Sequence, residues 1–238
     1  MERVSKLIAN AGFCSRRKAE EYIESNRVKV NGRVISLGDK ANPGDVISVN
    51  GTVITKEDKE YILLYKPRGV VTTTSDDKNR KTVIDLVRTN NRLYPVGRLD
   101  YDTTGLLLLT NDGELANLLM HPKSVIDKTY IVKVKGLVPP KVLKTLATGV
   151  MLDGKKTAKA HSKAKKYDKK TDTSIIELTI HEGKNHQVKK MFEALGYDVI
   201  KLKRETYSFL DLSGLTSGEY RALTPKEVKK LYSEVKKS

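Results

Sequence analysis

The sequence predicts an α+β protein with a small N-terminal module followed by a larger sheet domain. Within the first 57 residues, two apolar runs at helical spacing precede β-branched runs around Asn31-Gly32, a strong hairpin signal. Beyond residue 60, strand patterns interleave irregularly with few helical ones, which favours an α+β arrangement over a doubly wound sheet. The polar stretch TKEDKE, 55–60, separates the two parts, so we predict domains at 1–57 and 61–238.

The N-terminal module is predicted to contain two helices and a small curled sheet. The first helix ends at Gly12 and has apolar residues at helical spacing: Val4, Leu7, Ile8 and Ala11. Ser15 is predicted to cap the second helix, SRRKAEEYIES, whose inward face comprises Ala19, Tyr22 and Ile23. The segment NPGDVISVNG repeats a turn-then-strand pattern and would extend the sheet.

The larger domain contains several strand patterns. YILLYKPRGVV reads as a strand, an X-Pro break and a second strand, and GLLLLT has the continuous apolar run of a strand buried on both faces. KTYIVKVKG and SIIELTIHEG predict single strands, and YDVIKLKRETYSFLDL predicts two. The lysine-rich stretch 155–170 is expected to be a flexible surface loop or an RNA-contacting edge.

Four segments of the larger domain predict helices. DGELANLLMH and PPKVLKTLATG are two of them, and the second shows the usual proline start and glycine end. NHQVKKMFEALG has Asn185 as a candidate cap and a helical stripe of Val188, Met191, Phe192 and Leu195. KEVKKLYSEVKKS predicts a short C-terminal helix that frays into a basic tail.

The charge balance indicates a polyanionic partner. Among 238 residues, 45 Lys and Arg stand against 29 Asp and Glu, which gives a net charge of +16. A surplus of this size favours nucleic acid as the partner. The alternatives are a basic surface that serves only solubility and an anionic membrane surface. The membrane lacks support because no segment approaches the apolar length of a transmembrane helix.

The remaining composition restricts the class of protein further. The N-terminus has neither an apolar signal core nor a small-residue cleavage site. A single cysteine, Cys14, excludes an internal disulfide framework and a multi-cysteine zinc site. The four histidines are not spaced as a ligand cluster. We therefore expect a cytoplasmic, reduced protein without a metal or a small-molecule cofactor.

Basic residues crowd the two N-terminal helices and the hairpin. Cations near a helix start suit phosphate, because free backbone N–H groups and the helix dipole add to their charge. The candidate RNA-binding residues are Arg3, Lys6, Arg16, Arg17, Lys18, Arg27, Lys29 and Arg33. The alternative is that they are ordinary exposed positions of amphipathic helices, which the nearby Glu20, Glu21 and Glu24 keep open.

The stretch GRLDYDTTGLLLLTNDG, 97–113, places acidic side chains beside four consecutive leucines. Asp102 and Asp112 are interpreted as turn residues, since an aspartate can accept hydrogen bonds from the N–H groups of a turn. Asp100 ends an extended segment beside a buried strand, where a carboxylate needs a partner or a function. Lys189, in the first turn of a predicted helix, is a candidate cation that would keep Asp100 ionised.

A two-metal nuclease site is the rival interpretation of these acids. It would use Asp100, Asp102, Asp112 and Glu114. Their spacing is not specific for metal ligation, and the NDG triplet at 111–113 is better explained as a turn. We therefore favour Asp100 alone as the reactive carboxylate.

Several of these motifs occur together in a known family. GRLDYDTTGLLLLTNDGELANLLMHP (97–122), KTY (128–130) and EGKNHQVKKMFEALGYDVIKLKR (182–204) closely resemble the RsuA/RluB family of ribosomal RNA pseudouridine synthases, most of all its large-subunit branch. RVSKLIANAGFCSRRKAEEYIESNRVKVNG (3–32) looks like the S-four-type, or alpha-L, RNA-binding domain of such enzymes. The resemblance covers 1–225 and implies a mixed, mainly antiparallel sheet flanked by helices in the larger domain.

The resemblance also implies roles for individual residues. Asp100 matches the family's essential aspartate, and Arg98 matches the arginine that helps to hold the target uridine out of the RNA helix. Tyr130 matches the tyrosine that stacks on the uracil and is placed to act on the ribose. Lys189 matches the basic residue paired with the aspartate, and Leu202 matches an aliphatic floor under the base. Relatives often read GRNRQVRR where this chain has GKNHQVKK, a change expected to soften phosphate contacts.

The implied reaction converts uridine to pseudouridine by breaking the N1–C1′ bond, turning the uracil and joining C5 to C1′. It needs no metal or cofactor. Asp100 would attack the ribosyl centre or assist an elimination across C1′–C2′, and the sequence leaves both open. The base lies in a folded RNA stem-loop and must be flipped out. The alternatives are the same chemistry on small-subunit rRNA or tRNA, or a non-catalytic ribosome-assembly factor; we expect a monomer.

Overall fold

The computed structural model describes residues 1–236, and its N-terminal part combines two helices with short strands. The helices are α1 (Val4–Asn10) and α2 (Arg16–Glu24). The strands are β1 (Glu2–Arg3), β2 (Val28–Val30), β3 (Arg33–Val34), β4 (Lys40–Ala41), β5 (Ile47–Val49) and β6 (Thr52–Val53). A four-stranded sheet has the order β3-β2-β5-β6, and β1 pairs with β4.

Local sequence signals account for this module. Ser15 caps α2 by accepting a hydrogen bond from the Lys18 backbone N–H at 3.1 Å, as predicted. Asn31 and Gly32 have φ angles of 50° and 80°, the left-handed conformation that a two-residue hairpin turn requires. The apolar faces meet in a core of Val4, Ile8, Ala19, Ile23, Val28, Ala41, Ile47 and Val49.

An eight-stranded sheet dominates the rest of the chain. Its strands are β7 (Tyr61–Lys66), β8 (Tyr94–Val96), β9 (Thr104–Thr110), β10 (Lys128–Lys135), β13 (His161–Asp168), β14 (Thr173–Ile180), β15 (Val199–Tyr207) and β16 (Tyr220–Ala222). The order is β13-β14-β10-β15-β9-β7-β16, with β8 paired to β9. Only the β15–β9 pairing of this sheet is parallel, so the prediction of a mixed, mainly antiparallel sheet in an α+β fold is confirmed.

Helices pack against both faces of the sheet, one of which they cover only in part. They are α3 (Gly113–Met120), α4 (Pro140–Thr148), α5 (Gln187–Glu193) and α6 (Pro225–Lys236), and a 3₁₀ turn spans Ile84–Leu86. A small hairpin, β11 (Met151–Leu152) and β12 (Lys155–Lys156), follows α4. One core lies under α4 and α5 and a second under α3 and α6. None of the described helices is long and apolar enough to cross a membrane.

Strand β9 is buried on both faces, as its leucine run predicts. Leu107 and Leu109 belong to the core under α4 and α5, while Leu106 and Leu108 belong to the core under α3 and α6. Gly105, at its start, has a φ of +114°, and a Cβ there would lie 2.2 Å from the carbonyl oxygen of Arg204 on β15. A glycine is therefore required where the two parallel strands meet.

Three expectations about elements are wrong, and a fourth holds for one of its two alternatives. The stretch 155–170 is not a loop but contains β12 and the edge strand β13, so the edge alternative fits and its contact with RNA stays a prediction. A single long strand, β15, replaces the two strands predicted after residue 197. The second strand predicted directly after the break at Pro67 is absent from the described chain, where Val71 forms only an isolated bridge to Thr82. Helix α5 begins after His186, whose left-handed φ of 52° precedes it, and not at a cap by Asn185.

The C-terminal helix is integrated into the fold. It begins with the capping-box pattern of Thr224 and Glu227, in which each side chain bonds the backbone N–H of the other residue, at 3.2 and 2.8 Å. Leu231 and Val235 are buried in the core that α6 shares with α3. The basic tail predicted beyond this helix falls on 237–238, outside the described residues.

Candidate active site

The loop between β8 and β9 is fixed through its backbone. Lys66, at the end of β7, is fully buried, and its Nζ donates to the carbonyl oxygens of Asp100 at 3.0 Å and Thr103 at 2.8 Å. The Thr72 hydroxyl donates to the Leu99 carbonyl at 2.7 Å and accepts from the Leu99 N–H at 3.3 Å. These bonds hold the backbone on both sides of the Asp100 side chain without using its carboxylate.

The Lys66 ammonium is the cation nearest the inner side of this loop. Burial lowers its pKa to about 8, against the opposing attraction of the Asp100 and Asp102 carboxylates. Its third hydrogen bond reaches the carbonyl of Pro67 at 3.0 Å, so all three N–H donors of the ammonium are used. Lys66 is therefore a positioning residue for the loop.

A lysine from α5 and a histidine from its preceding turn contact the Asp100 carboxylate. Lys189 Nζ lies 3.1 Å from Asp100 Oδ2, and His186 Nε2 lies 3.3 Å from Asp100 Oδ1. Lys189 also lies 2.7 Å from Asp102 Oδ1. The predicted pairing of Asp100 with Lys189 is present, and the pair leaves 28% of the Asp100 side chain exposed to an approaching substrate.

The electrostatics of this cluster favour its charged forms. The hydrogen bond from Lys189 lowers the pKa of Asp102 against the effect of burial. Burial opposes ionisation of Lys189, but its hydrogen bonds to Asp102 and Asp100 outweigh burial and raise its pKa. Asp102 lies in a turn, as predicted, and is also an ion-pair partner of Lys189, a contact that the turn interpretation did not include.

A cleft opens beside Asp100 on the α5 side of the sheet. It is small and partly open to solvent, with a cavity volume of about 70 Å³. Its lining includes Arg98, Asp100, Tyr130, Ile180, Val188 and Leu202. The structure therefore brings all five residues with implied catalytic or substrate-binding roles to one place, four in the lining and Lys189 through its ion pair with Asp100.

The polar groups of the cleft differ in how they are engaged. Tyr130 is buried at its rim on β10, and its hydroxyl has no hydrogen-bond partner among residues 1–236. Arg98 is exposed and forms no ion pair with any residue that the structure describes. Leu202 is 7% exposed and contributes an apolar surface. A flat ring, a free guanidinium and an apolar wall suit a planar heterocycle attached to a phosphate backbone.

Asp112 lies outside the cleft and has a structural function. Its Oδ1 accepts the N–H groups of Glu114 and Leu115 at the start of α3, and its Oδ2 accepts the hydroxyls of Tyr61 at 2.7 Å and Tyr232 at 2.6 Å. Burial works against ionisation, but these hydrogen bonds lower its pKa. The residue is 1% exposed and joins β7, α3 and α6, so it is more than the turn residue predicted.

The nuclease interpretation receives no support from the geometry. Within the described chain, no group of three or more His, Cys, Asp or Glu residues could hold a metal ion. Asp102 and Asp100 share a lysine, and Asp112 is occupied by hydroxyls and backbone N–H groups. Two positioning residues, Lys66 and His186, were missed by the sequence analysis. The only signal for Lys66 was a lysine at the end of an apolar strand.

The N-terminal cations are mostly available to a ligand. Three pair with acids on the same helix or beside it: Lys6 with Glu2, Arg16 with Glu20 at 3.3 Å and Lys18 with Glu21 at 2.6 Å. The remaining five make no ion pair among residues 1–236 and are exposed: Arg3, Arg17, Arg27, Lys29 and Arg33. Their assignment to RNA stays a prediction.

Comparison with known proteins identifies the class. Residues 60–194 match the RNA pseudouridylate synthase family, and residues 2–47 match the S4 domain. The chain therefore belongs to the RNA pseudouridylate synthase family, and the prediction of an RNA-modifying enzyme with an N-terminal S4 domain is confirmed.

Individual relatives cover nearly the whole chain. It is 58% identical to ribosomal large subunit pseudouridine synthase B of Bacillus subtilis (strain 168), over 97% of this chain and 96% of that protein. It is 37% identical to the dual-specificity RNA pseudouridine synthase RluF of Escherichia coli (strain K12), over 99% of this chain and 80% of that protein. A crystal structure of a pseudouridylate synthase superposes with a TM-score of 0.69 at 35% identity, covering 97% of this chain and 100% of the other.

Proposed function

We propose that this enzyme converts a uridine in a stem-loop of large-subunit ribosomal RNA to pseudouridine, with Asp100 acting at the ribosyl centre. The observation that carries the proposal is the Asp100 carboxylate, which faces an open cleft while Lys189 and His186 hold it at 3.1 and 3.3 Å. The choice of RNA is supported by the 58% identity to a large-subunit enzyme and by the net charge of +16.

Each cleft residue has a step in this proposal. The Asp100 carboxylate either bonds to C1′ as the N1–C1′ bond breaks or assists an elimination across C1′–C2′. In the first case the bond from Asp100 to C1′ breaks, and its electron pair returns to the carboxylate, as C5 of the turned uracil bonds to C1′. A proton leaves C5 and N1 gains one, so the product is an isomer of the substrate. Lys189 orients the Asp100 carboxylate through their contact at 3.1 Å. Tyr130 stacks on the flipped uracil above Leu202.

Recognition of the surrounding RNA falls to other residues. Arg98, exposed and without an ion pair in the described chain, fills the space of the flipped nucleotide and contacts its phosphate. The domain at 1–57 grips the RNA through its cationic helices and hairpin, and the domain at 61–238 carries out the chemistry. We further propose that the enzyme acts as a monomer in the cytoplasm and needs no cofactor.

The test is to incubate the protein with unmodified ribosomal RNA fragments and map pseudouridine by carbodiimide-dependent primer extension. Wild type should create one new stop in a large-subunit fragment, and Asp100→Asn should create none while it still binds the RNA. Asp153→Asn is the matched control, because Asp153 pairs with the next lysine of the same helix, Lys190, at 3.0 Å and is 82% exposed. It should behave as wild type.

The outcomes separate the alternatives. Equal modification by wild type and Asp100→Asn would refute the role of Asp100. Modification of a small-subunit fragment or a tRNA in place of the large-subunit fragment would reassign the substrate. Binding without modification of any of the three RNAs would favour the assembly-factor hypothesis.

A further inference from the structure

One face of the large sheet is open and carries lysines. In the pairing of β10 with β14, Tyr130 and Val132 point into the core under α4 and α5, so the alternating Ile131 and Lys133 point to the opposite face. That opposite face is covered by α3 and α6 over β7 and β9. Apart from Tyr207 at the end of β15, no described residue of β15, β10, β14 or β13 belongs to the core under α3 and α6, so this half of the face is open and lies behind the active-site cleft.

The register of the sheet places lysines from three strands in this open half. Lys133 on β10 pairs directly with Lys201 on β15. On its other side Lys133 pairs with Ile175 of β14, and Ile175 in turn pairs with Lys166 of the edge strand β13. Lys163 lies in the next row, opposite Glu177. We call Lys133, Lys163, Lys166 and Lys201 the lysine face.

None of these four ammonium groups has an acidic partner within 4.0 Å in the part of the chain that the structure describes. The two carboxylates on the same face are already used, since Glu177 pairs with Lys165 at 3.1 Å and Glu205 pairs with Lys203 at 2.8 Å. The lysine face is therefore an array of uncompensated positive charge on a flat surface.

Protection of a sheet edge does not explain this pattern. Lysines on β13 would discourage edge-to-edge pairing of two molecules. Lys133 and Lys201, however, lie on the interior strands β10 and β15, where two like charges directly opposite each other destabilise the sheet. An anionic partner that lies across both strands removes this cost.

We propose that the lysine face binds the phosphate backbone of the RNA substrate outside the stem-loop that enters the cleft. Strands about 4.8 Å apart hold the ammonium groups in a grid on flexible stems, which suits contact with successive phosphates and reads no bases. Exposed apolar side chains for a protein partner are lacking there, because Ile131 and Ile175 are half-buried. The proposal rests on the proposed RNA-modifying function.

The test compares two triple variants with equal loss of charge. Lys133→Gln/Lys166→Gln/Lys201→Gln removes three of the four charges of the lysine face. Lys141→Gln/Lys144→Gln/Lys226→Gln is the control, because these lysines are exposed on α4 and α6 and form no ion pair within residues 1–236. The Kd for a long ribosomal RNA fragment and for the shortest stem-loop that wild type modifies is measured between 50 and 200 mM salt.

The face variant should lose affinity for the long fragment at low salt. Each phosphate contact contributes about 0.9 to the slope of log Kd against log salt concentration. Loss of three contacts therefore reduces the change in Kd between 50 and 200 mM salt by about 40-fold. Its rate of pseudouridine formation on the short stem-loop should equal that of wild type, which also shows that the variant is folded. The control variant should bind the long fragment more tightly than the face variant does.

Two results would overturn the proposal: wild-type salt dependence in the face variant, or an equal loss in the control variant. A loss confined to an acidic protein partner, with RNA binding intact, would also contradict it. Failure of every protein to modify any RNA would instead count against the proposed function, and the binding comparison would still test the face.

As an independent check, Lys201→Gln alone should raise the Tm of the free protein, because it removes the pair of like charges; a lower Tm would refute that argument.

Discussion

Replacing Lys189 by methionine tests how the Asp100 carboxylate is controlled. Methionine keeps the length and apolar character of the stem but removes the ammonium that lies 3.1 Å from Asp100 and 2.7 Å from Asp102. Two carboxylates would then face each other across the entrance of the cleft without their shared counter-ion. We expect slower catalysis with little change in RNA binding, because Lys189 is only 18% exposed.

The magnitude follows from the geometry of the pair. A hydrogen bond to a charged group contributes about 1.5 to 3 kcal/mol, and this one is partly buried. Because Asp100 is the group that meets the reacting centre, we expect its bond to Lys189 to account for about 2 to 3 kcal/mol of transition-state stabilisation. This corresponds to a fall of roughly 30- to 160-fold in kcat/KM.

The assay is pseudouridine formation under single-turnover conditions, with RNA affinity measured separately. Lys190→Met is the matched control, since Lys190 is the next residue of α5 but pairs with the exposed Asp153. It should retain wild-type activity, and Lys189→Arg should recover most of the rate. A Lys189→Met enzyme that is folded and within threefold of wild type would refute this account of the site.

Three further changes test the supporting structure. Asp112→Ala removes a helix cap and two tyrosine hydroxyl bonds and should lower the free energy of unfolding by about 4 kcal/mol in urea titration. Tyr232→Phe should cost less, and equal losses would contradict the role of Asp112 as the acceptor shared by all of these groups. Lys66→Met leaves three carbonyls without a donor, so it should lower the free energy of unfolding by about 3 kcal/mol and the rate of pseudouridine formation at least tenfold. A fully active variant would show that Lys66 does not hold the loop between β8 and β9. Hydrogen bonds from Arg221 lower the pKa of Glu227 to about 2, so the stabilisation by ionised Glu227 is complete above pH 4.5 and is lost as the pH falls toward 2. In Glu227→Gln, the free energy of unfolding should therefore fall by about 1 to 2 kcal/mol less over this pH range than in wild type.

The sequence indicated part of the site because some side chains lacked a local explanation. Asp100 was a carboxylate beside an apolar strand with no turn to cap, and the pairing with Lys189 followed from the need for a cation. For Asp102 only the turn was predicted, because the turn is visible in the sequence, whereas the lysine that it contacts lies 87 residues away. His186 gave no signal, since its contact with Asp100 depends on a left-handed backbone conformation before α5.

The helices, strands and turns also divide into those with local causes, which were predicted, and those with distant causes, which were not. The β9 strand, the Ser15 cap and the Asn31-Gly32 hairpin were predicted because their causes lie within a few residues of each other. The lysine-rich segment at 155–170 was expected to be a flexible surface loop or an RNA-contacting edge, because its polarity has no period that marks a strand. It forms β13 because β14 offers a free edge for backbone pairing, whatever the side chains are.

By itself the sequence determined the α+β class, the basic surface and the carboxylate that bears the proposed chemistry, because these depend on composition, local pattern and one long motif. The tertiary structure alone decided that Lys66 holds the loop of Asp100, that Asp102 shares Lys189, and that Lys133 faces Lys201. Each of these contacts joins strands or helices that are distant in the chain. Their register and packing are set by burial of the whole sheet and not by any local stretch of residues.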